Sequence, residues 1–241
     1  MVSRGLAQSR ERARALVLAG DVTVSGVRVT KAGTLVDEAA EIVLRQPDHP
    51  WVGRGGVKLA HALERFAIDV SGRVALDIGA STGGFTDVLL ERGAARVVAL
   101  DVGHNQLDWR LRSDPRVVCL EGVNARYLTP ANLPADLRTF DVVTIDVSFI
   151  SLGLILPVVP PLLGPDGRVI ALVKPQFEAG RGEVGKGGVV RDEDVHARVV
   201  DEVSAAALRV GLERLAVEPS PVTGAEGNRE FLLLFAHRPC P

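Results

Sequence analysis

The chain has 241 residues, 46% of them hydrophobic and 24% charged, with a formal net charge of −2. That balance excludes wholesale disorder and fits one domain of ordinary size plus a small module. Two cysteines, Cys119 and Cys240, exclude a disulfide scaffold and a four-cysteine zinc site, and ten aromatics leave little for a base-stacking platform.

Residues 8–20 read as a short helix with arginines along one side, opened by Ser9 and stopped by Gly20. Val22–Val24 and Val27–Val29 alternate around Ser25-Gly26, a hairpin signal. Leu35-Val36 and Glu41–Leu44 are further expected strands. Residues 1–46 thus form a small α/β module, and residues 47–57, beginning in the Gln46-Pro-Asp-His-Pro50 break, a linker. The first 31 residues carry Arg4, Arg10, Arg12, Arg14, Arg28 and Lys31 against Glu11 and Asp21, a balance of +4 on a body of −6. A basic arm on an acidic body points to a polyanion partner, with a solvated helix face as the plainer explanation.

Residues 58–241 change style. An amphipathic segment, Lys58 to Phe66, leads into expected strands Val74–Ile78, Val97–Asp101, Val117–Leu120, Val142–Asp146, Val169–Val173, Leu215–Val217 and Phe231–Phe235. Helices are expected over 84–92, 105–112, 151–163 and 192–210. Seven strands with crossover helices predict an α/β fold built on a mostly parallel, doubly wound sheet. The longest apolar stretch, Ile150 to Gly164, holds three prolines and falls short of the roughly 20 residues a spanning helix needs. Met1 is followed by a charged helix rather than an apolar leader, so a soluble cytoplasmic protein is expected.

The first strand ends in Asp77-Ile-Gly79-Ala-Ser81-Thr82-Gly83-Gly84-Phe85. A glycine-rich turn there puts backbone N–H groups at the carboxyl edge of the sheet, where such folds bind ligands. The dinucleotide pattern G-x-G-x-x-G is absent, and Asp77 would repel a pyrophosphate but suits an amino group. S-adenosylmethionine has that amino group and no phosphate. Asp101, ending the second strand, can accept both ribose hydroxyls. NAD-type oxidoreduction is the competing cofactor chemistry.

Strand four ends in Asp146-Val-Ser-Phe149, without the Asp/Asn-Pro-Pro-aromatic run of amino-group methyltransferases. Cys119 falls inside a strand and Cys240 beyond the last one, so neither suits nucleophilic attack on a pyrimidine ring. Oxygen methylation remains. A ribose hydroxyl is a poor nucleophile, and a placed ammonium lowers its pKa. The chain has 24 arginines and keeps lysine only at Lys31, Lys58, Lys174 and Lys186. Lys174 directly follows the apolar fifth strand, beside Asp146. Lys58 and Glu230 are candidates to complete an alternating cluster.

Several long stretches resemble the TlyA family: Arg4 to Arg10, Arg54 to Leu59, Asp77 to Phe85, Asp146 to Ser151, Val173 to Glu178 and Gly227 to Glu230. These proteins are named haemolysins and act as ribosomal RNA 2′-O-methyltransferases. The resemblance implies an S4-type RNA-binding domain followed by an FtsJ-like methyltransferase domain with a Rossmann-like seven-stranded sheet. It implies Lys58, Asp146, Lys174 and Glu230 as the catalytic tetrad. It implies S-adenosylmethionine bound by Gly79, Ser81, Thr82, Gly83, Phe85, Asp101, Val102 and Asn124, with Asp146 near the methionine part. The implied partner is rRNA or a ribosomal subunit, gripped by the six basic residues of the arm, with no metal. Family members open with a further basic-Leu-Asp segment, so the S4 domain is expected to lack its first helix or to start upstream. The alternatives are a membrane-active haemolysin and a non-enzymatic RNA-binding protein with an inactive methyltransferase fold.

Overall fold

The computed structural model describes residues 1–7, 9–37, 39–44, 49–180, 182–224 and 226–238. Cys240, linker residues 47 and 48 and the two residues before them lie outside the described residues, as does the side chain of Arg12. The chain divides into two units, Met1–Pro50 and Trp51–Pro241.

In the first unit, helix α1 (Arg10–Ala19) accompanies an antiparallel sheet of β1 (Val22–Val24), β2 (Val27–Val29) and β3 (Ile42–Leu44), ordered β2-β1-β3. Ser25 and Gly26 both take positive φ, the conformation that a two-residue hairpin turn requires. Ala7, Leu16, Val17 and Val22 close a small core. The expected strand at Leu35-Val36 does not form. Central strand β1 already has β2 and β3 on its two edges, and Leu35, 99% exposed, has nothing to pack on.

The second unit opens with α2 (Gly55–Arg65), β4 (Val74–Ile78), α3 (Gly84–Glu91), β5 (Arg96–Asp101), α4 (Trp109–Arg112) and β6 (Val117–Glu121). It continues with β7 (Phe140–Ile145), β8 (Leu163–Val173), α5 (Pro175–Glu178), α6 (Glu193–Arg209), β9 (Leu212–Pro219) and β10 (Phe231–His237). The sheet order is β6-β5-β4-β7-β8-β10-β9, with β10 antiparallel to both neighbours and the other pairings parallel. This is the expected doubly wound sheet. Alternate strand residues face opposite ways: Leu76, Ile78, Val143 and Ile145 pack toward α6, while Ala75, Val97 and Val142 pack toward α2 and α3.

Three expectations are corrected. Residues 51–57 are not free linker: Trp51 Nε1 donates to Glu91 at 2.5 Å, Val52 N to Asp87 at 2.8 Å, and α2 starts at Gly55. The helix expected over 105–112 is only one turn, because Asn105 sits at positive φ and Asp108 caps Arg110 N. The helix expected over 151–163 is a chain of three 3-10 turns, since Pro157, Pro160 and Pro161 lack the N–H groups that a continuous α-helix needs.

Two features hold the carboxyl edge in place. At the first, α2 and α3 meet backbone to backbone: a methyl group added at Gly84 would lie 2.9 Å from Gly56 N and 3.1 Å from Gly53 O. Gly84→Ala should therefore cost about 1–3 kcal/mol in urea unfolding.

The second is Asp77, wholly buried where β4 adjoins β7. Its carboxylate accepts from Thr86 Oγ1 at 2.7 Å and Thr144 Oγ1 at 3.0 Å. Burial pushes the Asp77 carboxyl from its ordinary 3.8 up to about 7, the hydroxyl bonds opposing the rise and the Asp146 charge adding to it. The folded state then holds a proton that the unfolded chain has released. This stabilisation is full below the ordinary carboxylate range and is lost as pH rises toward 7. Asp77→Asn removes the titration. Between pH 4 and 7, wild-type stability should fall relative to Asp77→Asn by up to about 1.4 kcal/mol per pH unit; parallel curves in urea unfolding would refute this.

Candidate active site

The carboxyl ends of β4, β5 and β7 enclose a cleft of about 430 Å³. Gly79 forms its floor at φ 87°, where a side chain would strike the Asp146 carbonyl at 2.5 Å. Ser81 lines it, also at positive φ, with its N–H on Asp101 Oδ2 at 2.8 Å. Asp101 Oδ1 accepts from Gly103 N at 2.7 Å. The two N–H bonds fix the carboxylate plane while leaving each oxygen further acceptor capacity. Val102 and Asn124 line the same cleft, and the Asn124 side chain caps the 3-10 turn at Arg126 N.

The rest of the glycine loop packs the scaffold and does not line this cleft. Asp77 is inside the sheet, so the amino-group role read for it is not where its side chain lies: the β4 pleat turns it toward Thr86 and Thr144. Gly83 caps α3 at φ 99°, with Leu107 and Leu111 occupying the space a side chain would need. Phe85 is buried beneath Gly55. Thr82 is exposed, and its carbonyl accepts from Asp108 N at 3.1 Å. Gly84 is the α2 contact described above.

A second cavity, of about 620 Å³, adjoins the first and shares Ser81, Asp146, Ser148 and Phe149 with it. Lys58, Lys174 and Glu230 line it, so the structure brings all four tetrad candidates to one chamber. Lys174 Nζ lies 2.6 Å from Asp146 Oδ1 and donates to Ser148 Oγ at 2.8 Å. Lys58 Nζ donates to Glu230 Oε2 at 2.6 Å, both side chains being buried. Lys58 reaches the chamber from the first turns of α2, which the glycine contact allows. Glu230 immediately precedes β10, and a side chain at Gly224 would lie 2.6 Å from its carboxylate. Asn228, fully buried, accepts from Val190 N and donates to Gly188 O, joining residues 188–190 to the Glu230 turn.

Ser148, Phe149, Gln176, Phe177 and Asn228 line the chamber without having been singled out individually. Gln176 and Phe177 lie on one-turn α5 and the others in loops, none with a periodicity to reveal it; only their closeness to the strand ends signalled them. In the first unit, Arg10, Arg14, Arg28 and Lys31 are exposed. Arg28 Nε donates to Gly20 O at 2.9 Å and Arg4 Nη1 to Ala40 O at 2.6 Å, so these two also brace the module.

The cleft fits S-adenosylmethionine by the chemistry of its walls. Among the described residues it carries Asp101 and Asp146 and no basic side chain, beside apolar Leu100, Val102, Val123 and Ile155. That suits a cation bearing hydroxyls and an aromatic ring and opposes a pyrophosphate. Among the described residues no helix is long and apolar enough to cross a membrane, and no group of three or more His, Cys, Asp or Glu is placed to hold a metal ion.

Comparison with known proteins agrees with this geometry. The FtsJ-like methyltransferase family matches residues 51–237 and the S4 domain family residues 1–42. The 16S/23S rRNA (cytidine-2′-O)-methyltransferase TlyA of Mycobacterium tuberculosis is 50% identical over 97% of this chain and 86% of its own. A solved structure of a hemolysin-named protein from Streptococcus thermophilus is 42% identical, with TM-score 0.81 over all of this chain and 88% of that one. An S-adenosylmethionine-dependent methyltransferase from Mesorhizobium loti, 21% identical, shares the fold at TM-score 0.55 over 77% of this chain and 100% of that one. With an S4 module ahead of an FtsJ-like catalytic domain, and half its residues shared across nearly its whole length, the chain belongs to the TlyA family of S-adenosylmethionine-dependent rRNA methyltransferases.

Proposed function

We propose that the chain methylates the 2′-hydroxyl of a cytidine ribose in 16S rRNA, 23S rRNA or both, acting on ribosomal subunits in the cytoplasm. One observation carries the reading. Two adjoining cavities share Asp146; the first is acidic and apolar, and the second holds two lysines paired with carboxylates. The name of the Mycobacterium tuberculosis relative supports the choice of base and RNA.

S-adenosylmethionine supplies, when bound, a methyl group already activated on a positively charged sulfur. Asp101 and Asn124 would hold its adenosine end, and Gly79 and Asp146 would flank its methionine end. Lys174 does the chemistry that the chain must add. Its ammonium is ion-paired with Asp146 Oδ1 at 2.6 Å and donates to Ser148 Oγ, and with three donors it keeps capacity for the target oxygen. A positive charge and a donated hydrogen bond both favour the alkoxide, so the hydroxyl becomes acidic enough to attack. Lys58 and Glu230, paired in the same chamber, orient the ribose.

Lys174→Ala should reduce transfer of labelled methyl to unmodified subunits by more than about 100-fold, while leaving S-adenosylmethionine affinity within a few-fold. Equal loss of both would make Lys174 a structural residue. Comparing labelled small and large subunits identifies the substrate in the same assay.

The exposed cations of the first unit grip rRNA phosphates, a contact that carries no sequence information. Replacing Arg10, Arg14 and Lys31 together by Ala should weaken binding to all RNAs and flatten log K against log salt by about 2, at roughly 0.7 per single-stranded phosphate contact. An unchanged slope would remove the arm from the interface.

A further inference from the structure

We infer that Glu178 is a positioning residue for methyl transfer: it clamps the loop after β7 to the loop after β8 and so sets how Asp146 meets Lys174. The inference rests on the catalytic reading above. Glu178 itself does not line the chamber. From the end of α5 its Oε2 accepts from Ser151 Oγ at 2.6 Å and its Oε1 from Leu152 N at 2.7 Å. Both partners belong to the other loop, 26 and 27 residues away in sequence.

Capping alone does not explain this carboxylate. Ser151 already accepts from Gly153 N at 3.1 Å and so caps the first 3-10 turn from within its own loop. Glu178 is half-buried, and burial pushes its carboxyl above the ordinary range, the Glu202 charge adding to the rise while the Leu152 and Ser151 bonds oppose it. A carboxylate kept there is satisfied by both loop contacts at once.

The loop it holds is strained. Phe149, between Asp146 and Ser151, sits at φ 64°, a region that residues with side chains rarely occupy, and its ring is 90% exposed. Such a conformation persists only where its surroundings fix it from both sides. On one side Asp146 N donates to Ile78 O at 2.9 Å; on the other stand Ser151 and Leu152 on Glu178. Between these anchors the two loops also meet through the Lys174 contacts and the Phe149–Phe177 ring pair, centroids 5.0 Å apart. Without Glu178, the loop relaxes at Phe149, and Ser148 and Asp146 lose their register against Lys174. A misplacement of about 1 Å is enough to slow a positioned reaction about 100-fold.

The test uses the full chain. Glu178→Ala should lower kcat for ribosomal-subunit methylation by 10- to 100-fold, with RNA KM within threefold and a loss of S-adenosylmethionine affinity several-fold smaller than the loss of kcat. Glu178→Gln, which can still accept from Leu152 N and donate to Ser151 Oγ, should recover most of the rate. Ser151→Ala, which removes the Glu178 bond together with the Gly153 cap, should lower kcat three- to tenfold in wild type and by a smaller factor in Glu178→Ala. Amide hydrogen exchange should accelerate in residues 146–154 of Glu178→Ala while α6 and β4 stay protected. That readout holds whatever the substrate, so absence of transfer by wild type would reject the catalytic reading alone. Unchanged exchange in 146–154, or a fall in cofactor affinity matching the fall in kcat, would overturn the role of Glu178.

Discussion

Strands β7 and β8 run parallel and adjacent, so Asp146, the first residue beyond β7, faces Lys174, the first beyond β8, at 2.6 Å across the carboxyl edge of the sheet. Their side chains are 19% and 11% exposed, a depth at which the loss of hydration offsets much of the attraction. Such a pair adds little net stability. Stability comes from the strands beneath it, whose Ile145, Val169, Ala171 and Val173 are buried in one apolar layer. The layer holds an ammonium in a fixed, partly dry position, where it acts more strongly than it would in water. Lys58 and Glu230 extend the same logic further inward, and removing either charge would strand the other at about 3–5 kcal/mol.

The chamber also depends on the absence of side chains. Lys58 enters the site because Gly84, at the start of α3, has no side chain to hold off the Gly53 carbonyl, Gly55 Cα and Gly56 N of the α2 start. Glu230 has room because residue 224 is glycine. Gly79 lets the cleft floor press against the Asp146 carbonyl. Three separate glycine contacts therefore control how closely the charged groups approach one another.

The strand ends were the most legible part of the sequence. A polar residue directly after a run of buried aliphatics marks the sheet edge, and Asp101, Asp146 and Lys174 lie there at the two cavities. Asp77 obeys the same pattern but lies within β4, whose last four residues are all buried, so no alternation revealed which way its carboxyl turns. The proline-bearing run 151–163 has helical apolar spacing but lacks the N–H groups to use it. Pairing Lys58 with Glu230 joins residues 172 apart, which no local pattern encodes; family resemblance supplied it. Ser148, Phe149 and Glu178 depend on how two loops meet, a relation visible only after folding.

Strand β10 is the last strand of the described chain, yet it inserts between β8 and β9. Its order of synthesis therefore differs from its place in the sheet. While the chain is being made, β4, β5, β7 and β8 can associate and shape the cofactor cleft before Glu230 emerges. Until then Lys58 lacks its counter-charge and β9 lacks its partner strand. The cleft between Gly79 and Asp101 can thus take shape ahead of the Lys58–Glu230 pair, which closes only when β10 docks between β8 and β9.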